Sequence, residues 1–159
     1  MIWIDGHNVL RTVPELFELY RKNHVTAMQR LLGRANRERA AVVVFDGKPV
    51  QELVPGQVKV VFVDDPSNKY ERADRYILLA SKNDPDVTVV TFDLELLRII
   101  RERRGKTISP IKWFHAPEKK LSKSLTKRTQ SSPANDKTNP PISASEYLQL
   151  LRNRTAEEE

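Results

Sequence analysis

Carboxylates stand at the ends of several apolar runs in this sequence, and their placement points to shared chemistry. Asp5, Asp46 and Asp93 each close or closely follow a run rich in Ile, Val and Phe, and a further run ends in Asp64-Asp65. Short apolar runs ended by a turn signal are typical of buried parallel strands, whose carboxyl ends share one edge of a sheet. Carboxylates gathered there repel one another unless a cation lies among them. Oxygen ligands favour Mg²⁺ or Mn²⁺, which can activate water for phosphodiester hydrolysis.

Neighbouring polar residues can complete such a site. Glu71 and Asp74 are spaced i,i+3, which places both on one face of the helix predicted after the third strand. Thr91 can hydrogen-bond a carboxylate or a phosphate, although a β-branched residue is also ordinary in a strand. Asn8 can support Asp5 or can be a turn residue, and from the residues alone both alternatives stand.

Each of these acids also has a purely structural explanation. A carboxylate at a strand end often caps the next helix, as Asp93 can do for a helix that begins at Leu94. The Asp46-Gly47 pair fits a simple turn, and the Asp64-Asp65 pair is interpreted as part of a loop. The combination of acids at one edge, rather than any single acid, favours the functional interpretation.

The elements that must position these residues alternate between strands and helices. Strands are predicted at residues 2–4, 40–45, 58–63, 87–91 and 111–114, and helices from residue 14 and over 25–37, 69–82 and 94–104. Asn68 and Glu71 have capping-box spacing at the start of the third of these helices, and Gly105 fits the C′ position of the last. The alternation predicts an α/β three-layer sandwich with a central, mainly parallel sheet.

Composition divides the chain into three parts. Residues 1–115 hold the predicted sheet and its helices. Residues 116–141 are polar and basic, with too little apolar surface to offset the entropy of ordering, and are interpreted as a flexible linker. Residues 142–154 are predicted to form a short amphipathic helix, with Ser143 and Glu146 at capping-box spacing. We expect Lys119–Arg128 to tether RNA or a ribosome.

The overall charge indicates the kind of partner. The chain has 159 residues, a formal net charge of +6 and a pI of about 9.6, which favours a polyanion, nucleic acid first. The absence of cysteine excludes disulfides, thiolate zinc sites and cysteine nucleophiles. No signal peptide or bilayer-length apolar run is visible, so a cytoplasmic protein without a membrane partner is expected.

Basic residues near the acids are candidate phosphate contacts. The candidates for nucleic-acid binding are His7, Lys69, Arg72, Arg98 and Arg101. The basic residues at the end of the second helix are instead interpreted as a solvated face; these are Arg34, Arg37 and Arg39.

Six blocks of this sequence, taken in order, resemble a known family. The blocks are Ile4–Asn8, Val13–Leu16, Val43–Gly47, Tyr70–Asp74, Val90–Asp93 and Gly105–Pro110. They resemble the NYN domains of the PIN-like nuclease superfamily, in particular the bacterial YacP-like branch, which includes a ribosome-associated mRNA endonuclease. The resemblance covers roughly residues 1–115.

The resemblance implies a PIN-like fold and a ribonuclease site that depends on Mg²⁺ or Mn²⁺. Carried over residue by residue, Asp5 would be the central metal ligand, with Asp74 and Asp93 as further ligands. Asp46 and Asn8 would complete the catalytic set.

Two further residues would support that set, and two depart from the family pattern. Glu71 and Thr91 are the supporting candidates. His7 stands where the branch often has Tyr, and Phe92 stands where it often has a small polar residue. Phe92 would make the mouth of the pocket more apolar.

The resemblance therefore implies an endoribonuclease that acts on RNA, including mRNA on the ribosome. The main alternative is a non-catalytic RNA- or ribosome-binding module that keeps the same fold. A phosphoacceptor domain of the receiver type also uses strand-end aspartates, but it needs a lysine at the end of the fifth strand. Lys112 lies in the middle of the strand predicted there, which disfavours this third interpretation.

Overall fold

The computed structural model describes residues 1–64, 72–84, 86–117 and 142–143. The strands are β1 (Ile2–Asp5), β2 (Ala41–Asp46), β3 (Lys59–Val63), β4 (Thr88–Val90), β5 (Lys106–Ile108) and β6 (Ile142–Ser143). The helices are α1 (Gly6–Thr12), α2 (Pro14–Lys22), α3 (His24–Ala35), α4 (Ala73–Ala80), α5 (Leu94–Glu102) and α6 (Pro110–Phe114). The strands form one sheet in the order β5-β4-β1-β2-β3-β6, and every neighbouring pair is parallel.

Both faces of the sheet are buried, because successive side chains in a strand point to opposite sides. Ile4, Val43 and Val90 join one hydrophobic core, together with buried residues of α1, α2, α3 and α6. Their neighbours in sequence, such as Trp3 and Val89, join a second core with buried residues of α4 and α5. Helices therefore cover both sides, and the predicted three-layer α/β sandwich with a parallel sheet is confirmed.

The order of the strands creates a crevice at the carboxyl edge. The chain proceeds from β1 outward to β2 and β3, then crosses to β4 on the other side of β1. The helices that follow β1 and β4 consequently pack on opposite faces, α1 in the first core and α5 in the second. Ligands of open α/β sheets bind where the strand order reverses in this way. In this chain that point lies between the carboxyl ends of β1 and β4.

The predicted helix starts depend on side-chain caps and prolines. Pro14 occupies the first turn of α2, as predicted, where its missing N–H leaves no backbone donor unsatisfied. Asn23 accepts a hydrogen bond from the backbone N–H of Thr26 and so caps α3. Asp93 caps α5 in the same way.

The fifth strand was wrongly predicted at residues 111–114. These residues form α6, in which Ser109 is the N-cap and Pro110 occupies the first turn. The true fifth strand is Lys106–Ile108, a short edge strand paired with β4. The prediction failed because Ile111, Trp113 and Phe114 have the composition of a strand, whereas the signal for a helix lies in the two preceding residues.

Two element boundaries also differ from the prediction. Arg72 has extended backbone, so the helix expected from residue 69 begins at Ala73; Asn68 and Glu71 lie outside the described residues. Arg104, with φ 64°, takes the left-handed conformation after α5 that was assigned to Gly105. Gly105 is needed for space instead, because a Cβ there would lie 2.7 Å from side-chain atoms of Ile100 and Val87.

Two residues of the predicted C-terminal helix are in a strand. Ile142 pairs with Val61 and Ser143 pairs with Phe62, which adds β6 to the outer edge of β3. The remainder of the predicted helix, the linker and Lys119–Arg128 lie outside the described residues. In the part of the chain that is described, none of the helices has the length and apolar character needed to cross a bilayer.

Candidate active site

Asp5 is the buried centre of the carboxyl edge. Its side chain lies at the end of β1, and the residue is only 7% exposed. Oδ1 accepts a hydrogen bond from the backbone N–H of Asn8 at 3.3 Å, which caps α1. Oδ2 accepts one from the Thr91 hydroxyl at 3.2 Å. The carboxylate is therefore held by the ends of both strands that border the crevice.

Thr91 connects Asp5 to Asp93. The Thr91 side chain is fully buried, and its Oγ1 also accepts a hydrogen bond from the backbone N–H of Asp93 at 3.1 Å. Asp93 in turn uses Oδ1 to accept from the backbone N–H of Leu96 at 2.8 Å, as the cap of α5. Its second oxygen has no hydrogen bond within the described residues, so a cap and a ligand role are compatible at this residue.

Asn8 fixes the turn after β4 rather than the Asp5 carboxylate itself. Its side-chain Oδ1 accepts a hydrogen bond from the backbone N–H of Phe92 at 2.8 Å. Only its backbone N–H reaches Asp5. Asn8 therefore positions α1 against the β4–α5 turn, which fixes the two sides of the crevice relative to each other.

Asp46 connects β2 to α4 and to His7. Its Oδ1 accepts a hydrogen bond from the backbone N–H of Ala73 at 2.8 Å. The N-terminus of α4 is therefore capped by a residue of β2. Its backbone N–H donates to Nδ1 of His7 at 3.1 Å. A nitrogen that accepts this bond carries no proton, so the His7 ring is neutral with its proton on Nε2. The 3.9 Å approach of Nδ1 to Asp46 Oδ2 is thus not an ion pair.

The electrostatics of the edge agree with this geometry. Burial raises the pKa of Asp5 to about 6; the Asn8 and Thr91 hydrogen bonds lower it, while the charges of Asp46 and Asp74 raise it further. Burial also lowers the pKa of His7, against the opposing effect of Asp46. No basic side chain within the described residues forms an ion pair with Asp5. The edge therefore carries negative charge that the described protein does not neutralise.

Direct metal ligation by the predicted trio is not preformed. Asp74 lies in the first turn of α4, close enough to Asp5 for its charge to matter. Asp93 reaches Asp5 only through Thr91. Across the described ranges, no three His, Asp or Glu side chains are grouped closely enough to hold a metal ion. A hydrated Mg²⁺ needs fewer protein ligands, since it keeps several waters and binds through one or two carboxylates.

The candidate nucleic-acid contacts are spread unevenly. His7 lies at the edge, and Arg72 is exposed at the N-cap of α4 near Asp46. Arg98 and Arg101 lie roughly 6 Å and 10 Å along α5 from Leu94, because a helix rises about 1.5 Å per residue, and α5 leads away from the edge. Arg98 pairs with Glu102 at 2.7 Å. Lys69 and Glu71 lie outside the described residues.

Arg34 was wrongly predicted to lie on a solvated face. Its side chain is 10% exposed and forms an ion pair with Glu38 at 2.8 Å. Its guanidinium donates to the carbonyl of Trp113 at 2.8 Å and lies 4.6 Å from the centroid of a Trp113 ring. The Trp113 indole N–H donates to the same Glu38 oxygen at 3.0 Å. The partner lies 79 residues along the chain, so local sequence carried no signal for this contact.

Phe92 is an exposed residue at this edge that the sequence analysis did not select as a site residue. It was noted only as a departure from a family pattern, yet it is 58% exposed beside Asp93 and Thr91. The signal available in the sequence was its position, because it lies between the end of the fourth predicted strand, at Thr91, and the acid Asp93.

Comparison with known proteins places this arrangement in a family. The sequence matches the YacP-like NYN domain over residues 2–154, which extends beyond the stretch that carried the resemblance. A structure of Rae1 (YacP) from Bacillus subtilis is similar with a TM-score of 0.57 and 20% identity, over 69% of this chain and 68% of that one. A structure of a mutant of the same protein gives a TM-score of 0.54 and 22% identity, over the same shares.

The search of curated proteins gave no match. The two solved structures support the fold, and the family match spans nearly the whole chain. The chain therefore belongs to the YacP-like NYN domain family, within the PIN-like nuclease superfamily.

Proposed function

We propose that this protein is a divalent-metal-dependent endoribonuclease whose active site is the crevice between the carboxyl ends of β1 and β4. The observation that carries the proposal is Asp5. It is a buried carboxylate at the point where the strand order reverses, with Asp46 and Asp74 as its charged neighbours. A fold does not gain stability from burying an uncompensated acid, so this placement favours a functional role.

A divalent cation fits the chemistry of this edge. Burial is the main reason that the pKa of Asp5 is raised, and the negative charges of Asp46 and Asp74 raise it further; a cation bound at this edge would compensate those charges. Asp5, Asp74 and Asp93 are the residues that would hold the ion, through a shell that includes water, and Mg²⁺ or Mn²⁺ suits such oxygen ligands. When bound, the ion supplies an activated water and compensates charge that develops on the phosphate.

The remaining residues orient these groups. The Thr91 hydroxyl holds Asp5 through Oδ2 and accepts from the Asp93 N–H, which keeps both carboxylates in fixed positions. His7, neutral and bonded through Nδ1, has Nε2–H available as a donor to a phosphate oxygen. Arg72, exposed near Asp46, adds positive charge for the RNA backbone.

RNA as the substrate is supported by the family and by the net charge of +6. We propose that the substrate includes mRNA on the ribosome and that the protein acts in the cytoplasm. The acids hold the reacting phosphate through a cation, while the basic excess of the chain offsets the repulsion between an acidic edge and a polyanion.

The test compares two aspartates at opposite ends of the strands. Asp5→Asn should reduce cleavage of a labelled single-stranded RNA in Mn²⁺ about 100-fold or more, because several kcal/mol of transition-state stabilisation depend on the ion. Asp86→Asn removes the same charge from an exposed residue just before β4 and should leave cleavage unchanged. Equal cleavage by Asp5→Asn and the unchanged protein contradicts the proposal.

A non-catalytic RNA-binding module is the second candidate function. One observation favours it: three of the acids, Asp5, Asp46 and Asp93, each use an oxygen to accept a helix-starting N–H. If the unchanged protein binds single-stranded RNA but cleaves none of it in Mg²⁺ or Mn²⁺, this second function replaces the first.

A further inference from the structure

Phe92 is an exposed aromatic side chain at the mouth of the proposed active site. The residue is 58% exposed, whereas Thr91 before it is fully buried. Single exposed apolar residues are common on protein surfaces, so exposure alone carries no meaning. The exposure of Phe92 is informative because of its position. Phe92 lies between Thr91, which holds Asp5, and Asp93, which caps α5.

The backbone that presents Phe92 is held on both sides. Its own N–H donates to Asn8 Oδ1 at 2.8 Å, and the next N–H, that of Asp93, donates to Thr91 Oγ1 at 3.1 Å. The N–H of Thr91 donates to the carbonyl of Ile108 in β5 at 3.3 Å. The N–H groups of three consecutive residues are thus fixed, by α1, by β5 and by the Thr91 side chain of the turn itself. A ring on such a support loses little conformational freedom when a ligand packs on it.

The surroundings of the ring suit a nucleobase better than a protein surface. Phe92 and Leu94 are both exposed, at 58% and 76%, but the charged Asp93 separates them in the sequence and Glu95 follows them. Protein interfaces, in contrast, exclude charge from their centres. An aromatic face beside a site for phosphate is how single-stranded nucleic acids are bound, since each base has a π-face next to its charged backbone.

We propose that Phe92 stacks on an unpaired base of single-stranded RNA next to the phosphate at the Asp5 edge. The inference rests on the proposed function and adds to it a residue that contacts the RNA. In an RNA duplex the bases are stacked inside the helix and cannot reach the ring, so Phe92 makes the site selective for unpaired RNA. Stacking tolerates any base, so this selectivity concerns strandedness rather than sequence.

The test measures RNA binding with the full chain in Ca²⁺, which replaces Mn²⁺ so that the oxygen ligands at the Asp5 edge keep a divalent ion; a gel of the labelled probe verifies that it stays intact. A fluorescein-labelled single-stranded RNA and its duplex serve as probes, with anisotropy recorded over a series of KCl concentrations. Phe92→Ala should weaken single-strand binding roughly fivefold or more and leave duplex binding unchanged. The slope of log affinity against log salt should stay the same, because no phosphate contact is removed.

Matched variants separate stacking from other effects. Phe92→Leu keeps apolar area without a ring and should resemble Phe92→Ala, whereas Phe92→Trp should retain full affinity. Phe17→Ala removes another exposed phenylalanine, 39% exposed on α2, and should change nothing. Arg72→Ala should reduce the salt slope instead.

Phe92→Trp also gives a direct readout. Trp3 and Trp113 are each 2% exposed, so quenching on RNA addition should come from the introduced indole. Quenching by single-stranded RNA and none by duplex is the expected result.

Three results overturn the inference. The first is single-strand affinity of Phe92→Ala equal to that of the unchanged protein at every salt concentration. The second is that Phe92→Ala loses affinity for the single strand and for the duplex equally. The third is that, without RNA, the sedimentation coefficient of Phe92→Ala differs from that of the unchanged protein, which would identify Phe92 as part of a protein interface. The nuclease proposal is decided separately, because a loss of cleavage in Asp5→Asn supports it even where Phe92→Ala binds RNA normally. An unchanged protein that neither binds nor cleaves RNA overturns both.

Discussion

Two groups of charged side chains within the described residues are buried or mostly buried, and they differ in how their charges are compensated. Between α3 and α6, Arg34 meets the opposite charge of Glu38, and the Trp113 carbonyl and indole N–H supply further hydrogen bonds. At the carboxyl edge, Asp5 has hydrogen bonds from Asn8 and Thr91, but its charged neighbours have the same sign. The first group is electrostatically complete, and the second is complete only with a cation.

The difference separates stability from function. A buried ion pair with all its hydrogen bonds satisfied tolerates no loss of a partner, since the remaining charge would be stranded. A buried acid among other acids lowers stability, and removing it relieves that cost. Mutations in the two groups should therefore shift stability in opposite directions.

The largest effect is expected at the paired group. Glu38→Ala leaves Arg34 buried without its opposite charge and the Trp113 indole without its acceptor, so stability should fall by about 3 kcal/mol. Urea unfolding at neutral pH measures the change. The control is Glu102→Ala, which breaks the Arg98–Glu102 pair with the same i,i+4 spacing at a 63% exposed arginine. That loss should be about 0.5 kcal/mol or less. Equal losses in both variants would show that burial of the pair does not matter.

An effect of opposite sign is expected at the acidic edge. The pKa of Asp5 is about 6 in the folded protein, whereas the ordinary value of an aspartate is 3.8, so the folded state holds this proton more tightly than the unfolded state. Stability therefore falls as pH rises from about 4 to about 6, and the cost is complete above that range. Asp5→Asn removes the cost and should raise stability by about 3 kcal/mol at pH 8, because the pKa differs by about 2 between the folded and unfolded states and each pKa unit corresponds to about 1.4 kcal/mol.

Unfolding curves at pH 4 and pH 8 decide this point. The gain of Asp5→Asn should disappear at pH 4, where Asp5 of the unchanged protein is protonated when folded. Asp86→Asn, at an exposed residue, should show no such difference between the two pH values. A loss of stability in Asp5→Asn at pH 8 would contradict the claim that the charge of Asp5 is buried without an opposite charge to compensate it.

Added divalent ions should compensate the charge at the acidic edge, and so reduce the difference between that edge and the Arg34–Glu38 pair. At ten times its dissociation constant, Mn²⁺ should stabilise the unchanged protein by about 1.4 kcal/mol, because it binds only the folded state. Thermal unfolding with and without Mn²⁺ measures this, with EDTA as the reference. Asp5→Asn should show no stabilisation, and Glu38→Ala should show the full amount. Stabilisation of Asp5→Asn equal to that of the unchanged protein would place the ion elsewhere.

The smallest effect is expected at Thr91. Thr91→Val removes the hydroxyl that lowers the pKa of Asp5, so that pKa should rise further. The acidic limb of the pH–rate profile should then move to higher pH. Thr91→Ser keeps the hydroxyl and should restore the original limb, which a purely steric role of the threonine does not predict.

Much of this framework followed from the sequence, for a physical reason. The runs before Asp5, Asp46 and Asp93 are buried on both faces, so they are continuously apolar and stand out without ambiguity. In a parallel sheet the convergence of their final residues then follows from geometry. At the edge of the sheet this signal fails. The strand β5 has no apolar run, whereas the helix α6 has one and was therefore predicted as a strand.

Contacts between distant residues were beyond the reach of the sequence. Nothing near Arg34 indicates that its partner is Trp113, and nothing near Asp46 indicates that it caps a helix beginning at Ala73. The same limit applies to Asn8, whose amide oxygen reaches Phe92 rather than Asp5. The sequence indicated which strand ends share one edge of the sheet, whereas the atoms that make contact there depend on where the neighbouring helices begin.

The pairing of β6 with β3 affects how the basic tail, meaning the linker of residues 116–141 and the residues after it, should be studied. Ile142 and Ser143 lie beside Val61 and Phe62, at what would otherwise be an open edge of the sheet. Cutting the chain after Pro117 would remove this cover together with the basic tail, and unpaired strand edges promote association between molecules. A truncated protein would therefore be prone to self-association that mimics or masks a change in RNA affinity. Replacing the basic residues within Lys119–Arg128 by serine or glutamine keeps β6 and tests the tether without that complication.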